Sequence, residues 1–286
     1  MYPAQFEYHK AGTVKEAVDL LAKYKDEAKL LAGGHSLLPA MKLRLAQPKH
    51  LIDIGNVSGL AGVKEEGGTL VIGAMTTHYA IESSAVLKSK CPLLPEVAGH
   101  IGDPMVRNMG TLGGSLAHAD PAADWPAAVI ALGAELVAEG PKGKRTIKVD
   151  DFFKGLLTTA LAEDEILTEI RVPACGANVK CAYAKFPHPA SRFAVVGVAA
   201  VLTLDGGKIG KASIGITGAG TKATRAKGVE AAIAGKAADA ASIQAAASSA
   251  ADGVDVQADL QGSVEYKQHL LRVFAKRAME AAAAKK

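Results

Sequence analysis

Two glycine pairs with polar followers are the residues best suited to chemistry in this sequence. The first lies in Leu31-Ala32-Gly33-Gly34-His35-Ser36-Leu37-Leu38-Pro39, the second in Gly110-Thr111-Leu112-Gly113-Gly114-Ser115-Leu116-Ala117-His118-Ala119-Asp120-Pro121. Glycine has no Cβ, so backbone N–H groups beside it can close on an anion. Ser36, Thr111 and Ser115 add hydroxyl donors for phosphate oxygens. Two such loops in one domain point to a ligand with more than one phosphate, and so to a dinucleotide. The first loop lacks the lysine and spacing of a Walker A motif, and it lacks the three-glycine spacing of a Rossmann fingerprint.

The surrounding pattern supplies elements to carry these loops. Val14, Val18 and Leu21 fall on one face of a helix over 13–24, and Thr13 with Glu16 has capping-box spacing. A strand at Lys29–Leu31 runs into the first glycine pair, and a helix over 38–45 with Pro39 in its first turn follows. Strand, glycine turn, helix is the order that aims backbone amides and a helix N-terminus at an anion together. Strands are expected at 50–54, 69–73 and 166–172, helices at 76–83, 92–101 and 126–132, and a hairpin at 135–149. Pro173 to Asn178 reads as a linker. Beyond it, strands at 193–204 and 208–216 meet at Asp205-Gly206-Gly207, followed by alanine-rich helices at 223–234, 238–251 and 263–283. The expected division is therefore 1–175 as a mixed α/β part, split near 55–60 into two subdomains, and 176–286 as a meander with helices.

Composition narrows the class. The 286 residues are 49% hydrophobic and 22% charged, which describes a globular chain with a sizeable core. A net charge of +4 and 5% aromatics offer too little for nucleic acid. The N-terminus lacks a secretion pattern and no apolar run is long enough to span a bilayer, so a cytoplasmic location is expected. Three cysteines, Cys91, Cys175 and Cys181, fit a reducing compartment and are too few for an iron–sulfur cluster held by this chain alone.

A set of motifs occurs in order: Ala32-Gly33-Gly34-His35-Ser36-Leu37, Ile72-Gly73-Ala74-Met75-Thr76-Thr77, Ile101-Gly102-Asp103-Pro104, Arg107-Asn108-Met109-Gly110-Thr111-Leu112-Gly113-Gly114-Ser115 and Asp120-Pro121-Ala122-Ala123-Asp124. In these the chain closely resembles, over essentially its whole length, the medium, FAD-binding subunit of molybdenum hydroxylases of the carbon monoxide, aldehyde, glyceraldehyde and xanthine dehydrogenase type. The resemblance implies an α+β protein: a two-subdomain FAD-binding fold of the vanillyl-alcohol-oxidase type, then a C-terminal domain with a three-stranded antiparallel sheet and helices. It implies that the amides of Ala32 to Ser36 and of Thr111 to Ser115 cradle the FAD pyrophosphate. Molybdopterin and [2Fe-2S] clusters are expected on a large and a small partner subunit. The function implied is transfer of electrons from those clusters through FAD to an external acceptor: NAD, a quinone, a carrier protein or oxygen.

The resemblance also proposes single residues. Asp124 matches the ribityl-binding position. Asp120 and Asp124, four apart, would share a helix face, with capping of the helix near Pro126 as the alternative for either. His35 and His118 either donate to the cofactor or hold a turn. Lys185 matches a family lysine near the flavin, where a cation at the N1–C2=O edge stabilises the reduced ring; the alternative is a solvated strand lysine. Phe193 falls where carbon monoxide dehydrogenase medium subunits carry a tyrosine against the ring, with core packing as the alternative, and Pro187 to Ser191 depart from their basic run; both departures count against carbon monoxide as the substrate. Leu161 and Ile101 match positions near the ring, with core packing as the alternative. Two other functions fit the same residues: a stand-alone flavin oxidase or reductase, and a non-catalytic nucleotide-binding assembly module.

Overall fold

The computed structural model describes residues 1–285. Its first sheet is small and wholly parallel: strands Glu7–Lys10, His50–Asp53 and Ala28–Leu31 lie side by side in that order. Helix Val14–Tyr24 is the crossover between the two outer strands, which flank the central strand in the same direction. Its N-cap, Thr13, accepts from the Glu16 amide at 3.1 Å, while Glu16 reaches back to the Gly12 amide at 2.8 Å. The helix buries Ala17, Val18 and Leu21 against Ile52, Ile54, Val57 and Leu60. Burial of Val18 and Leu21 contributes about 1.5–3 kcal/mol each.

The second sheet begins at Val63 and is antiparallel, ordered Val63–Glu66, Thr69–Gly73, Ile166–Pro173, Glu135–Gly140 and Gly143–Lys148. Short helices fill the excursion between Thr69–Gly73 and Glu135–Gly140. Among them are His78–Ser83, Leu93–Gly99, Pro104–Met109, Leu112–His118 and Trp125–Leu132. The sequence pattern places a loop at 110–115, but the structure makes Gly113 and Gly114 the first turn of helix Leu112–His118, with Thr111 as N-cap. The pattern obscures this because glycine is a poor helix former; a close approach selects it here, since a Cβ on Gly113 would stand 2.4 Å from that of Ala74.

The third sheet has long strands Val179–Pro187, Ala194–Asp205 and Lys208–Thr217, and a two-residue fourth, Thr224–Arg225. That fourth strand takes the start of the helix expected at 223, which begins instead at Lys227. Helices Ala240–Ala247 and Val264–Ala283 pack with it. Helix Trp125–Leu132 is buried on every side and joins the two halves: Cys181, Tyr183 and Ala199 belong to the same core as Trp125 and Val129. The cysteines are free. Contact with Cys181 lowers the Cys175 thiol, but Cys91 and burial outweigh it and push Cys175 up to about 12.

Candidate functional site: a glycine-loop cradle

The first glycine pair leaves the C-terminal end of strand Ala28–Leu31 and enters helix Leu37–Lys42. The backbone amides of Ala32, Gly33, Gly34, His35, Ser36 and Leu37 find no acceptor within the described residues. Donors left this way are either solvated or reserved for a ligand. Gly34 turns the chain with φ +74°, a left-handed conformation that disfavours a side chain. His35 folds back on its own loop, Nδ1 lying 3.0 Å from the Gly33 carbonyl, so it rigidifies the turn.

The second glycine pair faces the first. A Cβ on Gly33 would stand 2.1 Å from the Met109 carbonyl oxygen, and one on Gly114 would stand 3.5 Å from the Cβ of Ala32. The two loops therefore touch, and glycine is what permits it. Their donors differ. Of the second loop's amides, Leu112 donates to Thr76 O at 3.0 Å, Gly113 to Ala74 O at 2.8 Å, Gly114 to Thr111 Oγ1 at 3.1 Å and Ser115 to Thr111 O at 3.1 Å. Only the Thr111 amide finds no acceptor within the described residues. The expectation of amides from Thr111 to Ser115 as one cradle is corrected to this: Leu112 to Ser115 are spent on docking and starting the helix. The half-buried Ser115 hydroxyl remains on this side as a donor, and His118, at the helix end, is exposed.

The docking is made by a residue sequence reasoning missed. His78 donates its amide to Gly110 O at 2.9 Å, and its Nδ1 accepts from Trp125 Nε1 at 3.0 Å. Burial, with the charges of His35 and Arg107, pushes His78 down to about 4. The neutral ring is thus part of the fold. Because the folded value lies below the ordinary 6.5, an unfolded chain binds one more proton between those limits, and stability falls with acidification through that window. Native stability, read by urea unfolding at fixed pH, is expected to drop by roughly 3 kcal/mol from this residue between pH 7 and 4. A His78→Gln variant is expected to flatten that part of the slope.

Asp120 and Asp124 are not on a helix. Pro121 follows the left-handed Ala119 that ends helix Leu112–His118, and residues 120–124 form turns. Asp120 Oδ1 accepts from the Ala122 amide at 2.8 Å, a turn-forming bond. Asp124 sits at the N-cap position of Trp125–Leu132 without making a capping bond. Its buried carboxylate instead accepts from Tyr183 Oη at 2.5 Å and from Lys185 Nζ at 2.8 Å. Lys185 also donates to the His100 carbonyl at 3.1 Å and is itself buried, so it is not a solvated strand lysine. Burial pushes the Asp124 carboxyl above its ordinary range, while Lys185 and the donated hydrogen bonds pull it back down. Burial and the Asp124 charge hold Tyr183 well above 10, as the neutral phenol that donates.

This buried trio fixes the turn to the third sheet, helped by Thr217 Oγ1, which lies 2.7 Å from both Pro121 O and Ala123 O and donates its one hydrogen between them. Ala194 donates to Ala122 O at 3.0 Å, which places Phe193 at the rim of the same turn, 43% exposed. Ile101 is half-buried beside His100 and accepts from Arg107 Nη1 at 3.0 Å. Arg107 pairs with Glu82 at 2.8 Å, not with Asp103, whose carboxylate caps helix Pro104–Met109. Leu161 packs half-buried on the larger core, with its amide held by Thr159 Oγ1 at 3.2 Å.

Comparison with known proteins identifies the family over nearly the whole chain. Residues 4–175 match a family model described as FAD binding domain in molybdopterin dehydrogenase, and residues 181–282 match CO dehydrogenase flavoprotein C-terminal domain. The carbon monoxide dehydrogenase medium chain of Hydrogenophaga pseudoflava is 45% identical over 99% of this chain and 98% of its own. That of Afipia carboxidovorans is 39% identical over 100% and 99%. A solved carbon monoxide dehydrogenase structure from Hydrogenophaga pseudoflava, lacking the Mo-pyranopterin moiety, superposes with a TM-score of 0.97 at 47% identity, covering 99% of both chains.

Proposed function

Because the chain belongs to the family of FAD-binding medium subunits of molybdopterin dehydrogenases, we propose that it acts as the electron-carrying flavoprotein subunit of a molybdenum hydroxylase complex. The observation that carries the reading is the run of unpaired amides from Ala32 to Leu37, closed by the contact of Gly33 with Met109. Bound FAD supplies the redox chemistry, accepting electrons at its isoalloxazine ring and passing them on. The chain's own work is to bind and orient. The amides of Ala32 to Leu37, the Thr111 amide and the hydroxyls of Ser36 and Ser115 meet the pyrophosphate.

The Asp124–Lys185–Tyr183 network holds the Asp120–Asp124 turn, so that Asp120 is the freer carboxylate for a sugar hydroxyl. Phe193, Ile101 and Leu161 provide apolar surface at the ring end, and His118 stands at the rim. The network's cation lies beside the Ile101 segment, which supports a role for Lys185 in tuning the ring electrostatically rather than by solvent-exposed contact. Substrate is oxidised on a molybdopterin-binding large subunit, and electrons arrive through a [2Fe-2S] small subunit. An external acceptor then takes them. The free cysteines support a cytoplasmic location, and among the described residues no helix is long and apolar enough to cross a membrane.

The reading is tested with the small iron–sulfur partner, reduced by dithionite and freed of excess reductant. Mixed with this chain carrying FAD, it is expected to bleach the flavin absorption in stoichiometric amount. An unbleached flavin in the assembled pair would overturn the proposed direction of transfer. Substrate turnover by the isolated chain would favour the stand-alone oxidase instead.

A further inference from the structure

We propose that the first sheet carries a divalent transition-metal site, of zinc type, built from Glu7, His9 and His50. Glu7 and His9 are two apart on strand Glu7–Lys10, so both project from one face of the sheet. His50 opens the neighbouring strand and stands opposite Glu7 in the parallel register. The three ligand atoms converge. His9 Nε2 lies 3.1 Å from His50 Nδ1, and Glu7 Oε2 lies 3.4 Å from His50 Nδ1 and 3.9 Å from His9 Nε2. The point equidistant from three atoms at those separations is about 2.0 Å from each, the length of zinc–nitrogen and zinc–oxygen bonds.

Two imidazoles and one carboxylate suit late first-row divalent ions, with a fourth position left for water. The surroundings agree. The tyrosine that ends helix Val14–Tyr24 stacks on the His50 ring at 3.7 Å between centroids and on the His9 ring at 5.0 Å, which holds both imidazoles in orientation. Both histidines are partly buried, whereas Glu7 is exposed and keeps the site open to solvent. Among the described residues Glu7 pairs with no lysine or arginine, so its charge is available.

The site is independent of the cofactor cradle. Glu7 and His50 begin their strands, while the glycine loop leaves the C-terminal end of strand Ala28–Leu31, which pairs in parallel with the same central strand. The two sites therefore lie at opposite ends of the sheet, about 10 Å or more apart by strand rise. Bound metal would tie the edge strand to the central one where the chain enters the fold.

The test uses the full chain without a histidine tag, stripped with chelator and dialysed against micromolar Zn²⁺ alone, then against Co²⁺. One equivalent of zinc is expected, and cobalt is expected to give visible d–d absorption from a low-symmetry site with nitrogen ligands. His9→Gln and His50→Gln are each expected to weaken zinc binding about tenfold or more, with bound FAD unchanged as proof of folding. Glu7→Gln, at an exposed position, gives the same direction without touching the core. His269→Gln, an exposed histidine on helix Val264–Ala283, is expected to leave uptake unaltered. Absence of zinc uptake by the wild-type chain, or undiminished uptake by a His9→Gln/His50→Gln double variant, would overturn the proposal.

Discussion

A Gly33→Ala variant is expected to purify without flavin colour while its C-terminal sheet stays folded. The added Cβ would stand 2.1 Å from the Met109 carbonyl oxygen and 2.8 Å from the Gly110 Cα, both backbone atoms that no rotamer change can move. Either loop must retreat, and the amides from Ala32 to Leu37 then lose their common focus. Positioned donors lose effect steeply when displaced by about 1 Å, so FAD occupancy is expected to fall at least about tenfold. The third sheet and its helices have their own core of Val196, Val198, Ile214, Leu271 and Phe274. Circular dichroism and a proteolysis pattern retaining that part separate loss of the cradle from general unfolding. Gly114→Val follows the same logic less directly, because its nearest obstacle is the Thr111 hydroxyl at 2.7 Å. An intact complement of FAD in Gly33→Ala would show that the two loops do not form one binding surface.

Asp124→Asn is expected to be the most destabilising single polar change, by about 3–5 kcal/mol, because it strands the Lys185 ammonium in the interior. The pair has 2% and 6% side-chain exposure for Lys185 and Asp124, so solvent cannot compensate for the lost charge. The carboxamide keeps one oxygen to accept from Tyr183 but offers Lys185 no counter-charge. Replacing both charges, Asp124→Asn with Lys185→Met, is expected to recover much of the loss, since removing a buried pair together costs less than orphaning one member. Chemical denaturation of the two variants measures the difference. Equal destabilisation by the single and double changes would argue that the carboxylate acts through Tyr183 and the turn, not through Lys185.

Much of this was legible in the residues, for physical reasons that differ by region. The amphipathic pattern of Val14, Val18 and Leu21 gave the first helix, and Asp205-Gly206-Gly207 gave the long hairpin, because both signals are local. Strand Ala28–Leu31 and the first glycine turn were readable in the same way. The second glycine pair looks like a turn in sequence, yet it serves a helix pressed against Ala74. Asp124 and Lys185 each matched a family position, but their contact spans 61 residues and no local pattern encodes it. Tyr183 went unread for the same reason. One signal was present: Gly197, in the middle of an apolar strand, leaves room where a Cβ would stand 2.3 Å from the Tyr183 hydroxyl. His78 carried no sequence mark beyond its place after Thr77, the cap of its helix.

Phe193 sits on the rim of the turn, outside the buried network. Similarity to carbon monoxide dehydrogenase medium chains speaks for the cofactor and the assembly, not for a substrate.

If the two glycine loops form one FAD-binding cradle, the flavin content of the purified chain shows it directly. Absorbance of the chain before denaturation, with chromatography of the released cofactor, is expected to give one FAD per chain, either as isolated or after incubation with FAD. A folded, colourless chain that takes up no added FAD would show that the loops hold no such cofactor.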